Sequence, residues 1–113
     1  MKISAVKPYK VLLAGQEPEG EYSIPLAMGY LKAYADSRPS LKGRVEIVLT
    51  GYRLQDPDAV AANLLAGVPN LVGFSCYTWN LEFVSLVAKR LKKLRPGVQI
   101  VIGGPETSLW GEN

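Results

Sequence analysis

Short apolar runs alternate along this chain with longer segments that have a helical period. Four runs are nearly continuous and are bounded by glycine, proline or charged residues, which is typical of strands buried on both faces of a parallel sheet. They cover residues 10–15, 45–49, 71–75 and 98–102. Glu46 interrupts the second run and indicates a strand at the edge of the sheet, whereas the third run is predicted to be central.

The segments between these runs carry helix signals. The first helix is predicted to begin at a cap formed by Ser23 or Ile24 and to end before Pro39, because proline disfavours helix at the residue before it. The second is predicted over residues 57–65, with Asp56 as its cap and a proline at its first position.

The third helix is predicted to follow Asn80 as its cap and to end at Arg95, and residues 103–105 open a fourth helix. Right-handed crossovers in the order β-α-β-α-β-α-β-(α) place helices on both faces of a parallel sheet. We therefore expect a doubly wound, flavodoxin-like (Rossmann-like) α/β fold with strand order 2-1-3-4, the fifth strand of that fold being missing from this chain. Residues 1–113 are predicted to form a single domain, a fragment of a larger protein.

Composition narrows the chemistry that these residues can perform. There is no histidine among the 113 residues, so histidine acid–base catalysis and a histidine ligand to a cofactor metal are excluded for this chain. The single cysteine, Cys76, excludes an internal disulfide and a cysteine-rich metal site. No apolar run approaches the ~18 residues that span a bilayer, and no signal sequence is recognisable, so we expect a cytoplasmic protein with no membrane partner.

The net charge is +3, and five of the thirteen basic residues are clustered near the end of the third helix. They are Lys89, Arg90, Lys92, Lys93 and Arg95. Such a cluster suits an anion or a nucleic acid, but it also suits a helix C-terminus, where cations complement the helix dipole. We favour the structural interpretation and predict no nucleic-acid partner, because no aromatic residues are interleaved with the basic ones.

The carboxyl ends of the strands form the candidate ligand site. In an open α/β sheet, ligands bind in the crevice outside these ends, here where the first and third strands lie side by side. Three loops are expected to converge there. The candidate cofactor-binding residues are Gly15, Gln16 and Glu17 in the first loop, Ser75, Cys76, Tyr77, Thr78 and Trp79 in the second, and Gly103, Gly104, Pro105 and Glu106 in the third.

Each of these candidates also has a structural interpretation. Ser75 either hydrogen-bonds a ligand or caps its strand, and the paired glycines either admit a ligand or form an ordinary turn. Tyr77 and Trp79 either stack on a planar ligand or pack on a neighbouring domain. For Cys76 we favour a small buried side chain, because no basic residue lies near it in sequence to stabilise a thiolate. No GxGxxG or GxxxxGK[ST] pattern is present, which argues against a dinucleotide or P-loop site.

Three segments resemble the N-terminal cobalamin-binding domain of B12-dependent radical SAM enzymes. They are residues 24–34, IPLAMGYLKAY, residues 73–80, GFSCYTWN, and residues 100–106, IVIGGPE. They match that family's first-helix, third-strand and fourth-strand segments. The resemblance implies a cobalamin whose nucleotide tail enters the crevice between the first and third strands, bordered by Ser75 and the paired glycines.

The same resemblance implies that a radical SAM barrel follows this domain in the parent protein, which is most commonly a methyltransferase. S-adenosylmethionine and a [4Fe-4S] cluster would belong to that barrel, because the cluster needs a Cys-x-x-x-Cys-x-x-Cys motif and this chain has one cysteine. Many B12 domains carry Asp-x-His-x-x-Gly after their first strand, where this chain has QEPEG at residues 16–20. We therefore expect base-off cobalamin without a histidine ligand, with Tyr77 or Trp79 near its lower face.

An alternative from a different class is a flavodoxin-like interaction or regulatory domain that binds no cofactor. In that interpretation Tyr77, Trp79 and Trp110 pack on a partner domain. A response-regulator-like receiver is a weaker alternative, because an acidic pair after the first strand and a lysine after the last are both missing.

Overall fold

A computed structural model of the chain describes residues 7–16, 26–53, 56–75 and 80–103. Within these residues the elements are β1 (Tyr9–Gln16), α1 (Leu26–Asp36), β2 (Val45–Tyr52), α2 (Pro57–Leu65), β3 (Leu71–Ser75), α3 (Leu81–Leu94) and β4 (Gln99–Gly103). The strands form one parallel sheet in the order β2-β1-β3-β4. The predicted α/β fold and strand order are confirmed, with β2 at an edge and β3 inside the sheet.

One face of the sheet forms the core together with α2 and α3. The parallel register places Leu12 opposite both Val48 and Val72, and it places Ala14 opposite Phe74. Because side chains alternate along a strand, these residues all face the same two helices. The helices contribute Val60, Ala61, Leu64, Val84, Val87 and Leu91 to the same cluster.

The other face of the sheet is less completely covered. Of the three crossovers between the described strands, β1-α1-β2 runs toward one edge of the sheet, whereas β2-α2-β3 and β3-α3-β4 run toward the other. Because crossovers of this kind are right-handed, α1 lies on the face opposite α2 and α3, where it contacts β2. Gly73 lies here beside Leu13 and Val101. A Cβ atom at Gly73 would lie 2.9 Å from Leu13 Cδ2, so close packing of neighbouring strands explains this glycine.

The boundaries of several elements differ from those predicted. Strand β2 continues three residues past its predicted end, because it pairs with β1 over eight residues, as far as the Gln16–Tyr52 pair. Strand β4 is displaced by one residue from its predicted range, whereas α2 and β3 have the predicted bounds. The predicted start of the first helix and the predicted fourth helix lie outside the described residues.

The basic cluster at the end of α3 has structural partners. Lys92 Nζ donates to the carbonyl oxygens of Pro96 at 2.9 Å and Val98 at 2.7 Å, which ties the helix end to the start of β4. Arg90 pairs with Asp58 in the first turn of α2. These two cations therefore have structural partners within the domain, which favours the structural interpretation for them. No helix in the described part of the chain is long and apolar enough to cross a membrane.

Candidate functional site

The carboxyl ends of the four parallel strands lie at one edge of the sheet. Their last residues are Gln16, Tyr52, Ser75 and Gly103. Gln16 is paired with Tyr52, and Ser75 with Gly103. Strands β1 and β3 are direct neighbours, so the structure brings the predicted residues Gly15, Gln16, Ser75 and Gly103 to the same edge. This edge contains the switch point at which ligands bind in such sheets.

The remaining predicted binding residues lie outside the described residues. They are Glu17, Cys76, Tyr77, Thr78, Trp79, Gly104, Pro105 and Glu106. Each directly continues a strand end named above, and their assignment to the site therefore remains a prediction.

Gln16 places an unusual polar atom at the end of β1. Its side-chain oxygen Oε1 is enclosed by the protein, and no group in the described part of the chain donates a hydrogen bond to it. Leaving a buried acceptor unsatisfied costs roughly 1–3 kcal/mol, so native proteins rarely do so without a reason. An unsatisfied acceptor at the switch point suits a ligand that carries N–H or O–H groups.

Asn80 occupies the N-cap position of α3, as predicted, but its side chain does not cap that helix. The residue is 1% exposed. Its Nδ2 donates to the backbone carbonyl oxygen of Ser75 at 3.1 Å and lies 3.5 Å from the hydroxyl oxygen of Tyr52. The predicted side-chain cap is therefore wrong. The Ser75 carbonyl needs a donor where the strand ladder stops, and the amide of Asn80 supplies it.

Tyr52 is a residue at this edge that the sequence patterns did not single out. Its ring stacks on Phe83 of α3 with centroids 5.9 Å apart and meets Phe74 of β3 edge-on at 6.2 Å. The residue is 6% exposed. A signal for it exists in the sequence, because Val48, Thr50 and Tyr52 continue the alternation of β2 on the core face.

Gly103 has open space around its Cα atom. A Cβ atom built there would meet only the backbone oxygen of Phe74, at 4.0 Å. Packing within the described residues therefore does not require glycine at this position. The assignment of Gly103 to the binding site remains a prediction.

The larger hollows lined by described residues lie away from the switch point. One of about 680 Å³ runs between α3 and β4, where it is bordered by Ala88, Ile100 and Ile102. Another of about 740 Å³ lies at the amino-terminal edge of the sheet, near Lys10 and Arg44. Size alone would favour these hollows, but we place the site at the carboxyl edge, because both the unsatisfied oxygen at the end of β1 and the open backbone at the end of β4 lie along it. No cluster of three or more His, Cys, Asp or Glu side chains suited to a metal occurs within the described ranges.

A doubly wound parallel sheet whose switch point lies between β1 and β3 is typical of a class of small-molecule-binding α/β domains. Residues 12–113 match the family model of the B12 binding domain, and the chain belongs to that family. The cofactor of the family is cobalamin. The resemblance found in the three sequence segments is thereby confirmed.

Two relatives of this chain are methyltransferases by name, and the name of the second also states that it depends on cobalamin. The chain is 35% identical over 88 residues to 2-(S-pantetheinyl)-carbapenam-3-carboxylate methyltransferase of Streptantibioticus cattleyicolor. It is 32% identical over 87 residues to the cobalamin-dependent radical SAM methyltransferase TokK of Streptomyces tokunonensis. Each match covers 73% of this chain but 12% of the relative, so the chain corresponds to a small part of either enzyme.

Proposed function

We propose that this chain is the cobalamin-binding module of a radical SAM methyltransferase and that it holds cobalamin base-off, without a histidine ligand to cobalt. The family membership and the names of the two relatives support the first part. The absence of histidine from the 113 residues supports the second. Bound cobalamin supplies a cobalt centre that can accept and donate a methyl group.

The observation that carries this proposal is the buried, unsatisfied Oε1 of Gln16 at the end of β1. The corrin ring bears carboxamide side chains around its rim, and their N–H groups are donors of the kind that this oxygen lacks. A ligand that donates to Gln16 removes the cost of the unsatisfied acceptor. The residues present therefore fit a cobalamin at this edge.

The other residues of the edge have separate roles in the proposal. Ser75 and the backbone at Gly103 border the nucleotide tail, where small side chains and open space allow close approach. Tyr77 or Trp79 lies near the lower face of the corrin. An aromatic side chain there would offer cobalt no nitrogen ligand and would exclude water.

The proposal assigns S-adenosylmethionine and the [4Fe-4S] cluster to a barrel domain that follows this one in the parent protein. The exposed apolar side chains of α1 support packing against such a domain: Tyr30 is 67% exposed, Leu31 59% and Tyr34 64%. Hydroxyl-radical footprinting of the chain and of the full-length parent tests this, and Tyr30 and Tyr34 should lose reactivity in the parent.

The decisive experiment measures how the chain binds cobalt. The chain is mixed with hydroxocobalamin, reduced to cobalt(II), desalted and examined by EPR. Retained cobalt without nitrogen superhyperfine splitting supports base-off binding with no nitrogen ligand, whereas splitting contradicts it. Loss of all cobalt, both by this chain and by a version extended through a fifth strand, contradicts cobalamin binding and favours the cofactor-free interaction domain.

Two tryptophan variants separate the proposed lower face from the rest of the chain. Trp79→Ala should change the cobalt(II) spectrum, because it removes an aromatic ring from beside the axial position. Trp110→Ala is the matched control and should leave the spectrum unchanged. An unchanged spectrum for Trp79→Ala would remove Trp79 from the proposed site.

A further inference from the structure

We infer that the hollow at the amino-terminal edge of the sheet, bordered by Lys10 and Arg44, binds a ligand that carries a diphosphate group. This amino-edge hollow has a volume of about 740 Å³. Small-molecule sites commonly have volumes of roughly 300–1,000 Å³. The hollow lies at the edge where the strands begin, opposite the proposed cobalamin site, and the inference does not rest on the proposed function.

The amino-edge hollow carries a concentrated positive charge. Four cations line it, Lys7, Lys10, Arg44 and Arg95, together with a single carboxylate, Glu46. They leave the same net charge of +3 that the whole chain carries, so the basic and acidic residues outside the hollow balance one another. A concave surface with an excess of one sign of charge attracts ligands of the opposite sign.

None of the four cations is paired with a carboxylate within the described part of the chain. The ion pairs in that part join Lys32 to Asp36 and Arg90 to Asp58, and none of these residues lines the hollow. Like charges held close together repel one another and destabilise the compact state. An anion bound among the four cations would remove this repulsion, so the arrangement favours a ligand.

The dipoles of the helices account for only one of these cations. Arg95 is the C-cap residue of α3, where a cation is favoured because the carbonyl end of a helix is negative. Lys10 lies in β1, and Arg44 immediately precedes β2, so neither belongs to the end of a helix. The structural interpretation that suits the end of α3 therefore does not explain the charge of the amino-edge hollow.

Backbone hydrogen bonds fix the segments that carry these charges. The amide nitrogen of Lys10 donates to Asn70 Oδ1 at 2.8 Å, and the Asn70 amide donates to the Lys10 carbonyl oxygen at 2.9 Å. The Tyr9 amide donates to the Arg44 carbonyl oxygen at 2.7 Å. Lys10 Nζ lies 3.6 Å from the position that a Cβ atom at Gly67 would take, beside the backbone that follows α2. A preformed frame of this kind reduces the entropy lost when a ligand binds.

The charge and the lining of the hollow favour a diphosphate over smaller anions. A carboxylate carries one negative charge and a single phosphate group about 1.5–2, so a diphosphate matches an excess of three positive charges better than either. The guanidinium groups of Arg44 and Arg95 are suited to paired hydrogen bonds with phosphate oxygens.

Apolar surface beside the cations is suited to an organic part of the ligand. Tyr9 is 41% exposed and Val68 is 61% exposed, and both line the hollow. Free pyrophosphate and an organic diphosphate share the chemistry that the cations recognise, but only an organic diphosphate would gain from this surface. Their relative affinities therefore distinguish the two sources.

An NMR titration of the ¹⁵N-labelled chain at low ionic strength tests the inference, with inorganic pyrophosphate and ADP as the probes. The backbone amides of Tyr9, Lys10 and Asn70 should shift and saturate, whereas those of Gln16 and Ser75 at the carboxyl edge should not. Tighter binding of ADP would support an organic diphosphate as the ligand. Equal affinities would support free pyrophosphate.

Arginine variants test whether the cations of the hollow hold the probe. Arg44→Gln and Arg95→Gln should each weaken binding about tenfold, because each removes a charge-assisted contact. Arg90→Gln is the matched control, since it removes the same charge from an arginine that does not line the hollow, and it should change affinity by less than about twofold. Arg44 is exposed, so its variant should fold as the unaltered chain does.

Three results would overturn the inference. The first is the absence of saturable shifts at the amino-edge hollow with both probes. The second is an equal loss of affinity in Arg44→Gln and Arg90→Gln, which would show a general effect of net charge. The third is tighter binding of a short thymidylate oligonucleotide to the same amides, which would assign the hollow to nucleic acid. Binding of the probes by a chain that fails to bind cobalamin would refute the proposed function alone.

Discussion

Replacing Gln16 with methionine should stabilise the ligand-free domain and weaken its binding of cobalamin. The side chain of Gln16 buries an oxygen that no described residue satisfies, and such an acceptor costs roughly 1–3 kcal/mol. Methionine has a similar length and enough flexibility to fill the same space without a strong acceptor. Taking the lower part of that range, we expect a gain of about 1 kcal/mol, which is a rise of roughly 3–6 °C in Tm for a domain of this size.

The effect on binding should have the opposite sign. If the corrin carboxamides donate to Oε1 of Gln16, the methionine variant loses one buried hydrogen bond in the complex, and its affinity for cobalamin should fall about tenfold. The gain in the free protein and the loss in the complex have the same origin. They should therefore appear together in the same variant.

Thermal unfolding followed by circular dichroism, without and with cobalamin, measures both effects. Gln99→Met is the matched control, because Gln99 is exposed at the start of β4 and the same change there should move Tm by less than about 2 °C. A lower Tm for the Gln16 variant without ligand would refute the reasoning, since it would show that Oε1 is satisfied in solution. A higher Tm with unchanged affinity would remove Gln16 from the binding site.

Two further predictions concern the scaffold. Leu91→Ala should destabilise the domain by about 2–5 kcal/mol, because Leu91 is 0% exposed. Leu94→Ala on the same helix should cost little, because Leu94 is 59% exposed. Equal losses of stability in urea unfolding would contradict the observed packing of α3. Val68→Gly should raise stability by about 1 kcal/mol, because Val68 has φ of +52° and is 61% exposed. The same change at Val101, in the extended backbone of β4, should instead lower stability by about 1 kcal/mol, and a loss at both positions would show that the Val68 backbone is not strained.

At the carboxyl edge of the sheet, the sequence predicted the position of Asn80 but not the hydrogen-bond partners of its side chain. Asparagine before an amphipathic run is a strong local signal for a helix cap, and Asn80 does stand at the start of α3. Its side chain is nevertheless used by the Ser75 carbonyl and by Tyr52, which is 28 residues away in the chain. A local pattern cannot weigh a capping bond against a partner that only the fold brings into contact.

The prediction of strand ends from the sequence was limited in a similar way. The apolar run predicts β2 over residues 45–49, but the strand continues to Tyr52 because β1 extends equally far and provides hydrogen-bond partners. The length of a strand depends on its neighbour, and its own sequence records that neighbour only indirectly.

The sequence by itself determined the order of the elements, the parallel sheet with order 2-1-3-4 and the family. Period and turn residues act locally, right-handed crossovers leave few topologies, and family motifs are short contiguous segments. Only the tertiary structure decided that the oxygen of Gln16 is buried without a donor and that Asn80 and Tyr52 hold the end of β3. These properties depend on which side chains meet at the carboxyl edge and on how well water is excluded there, and both are set by packing between residues distant in the chain.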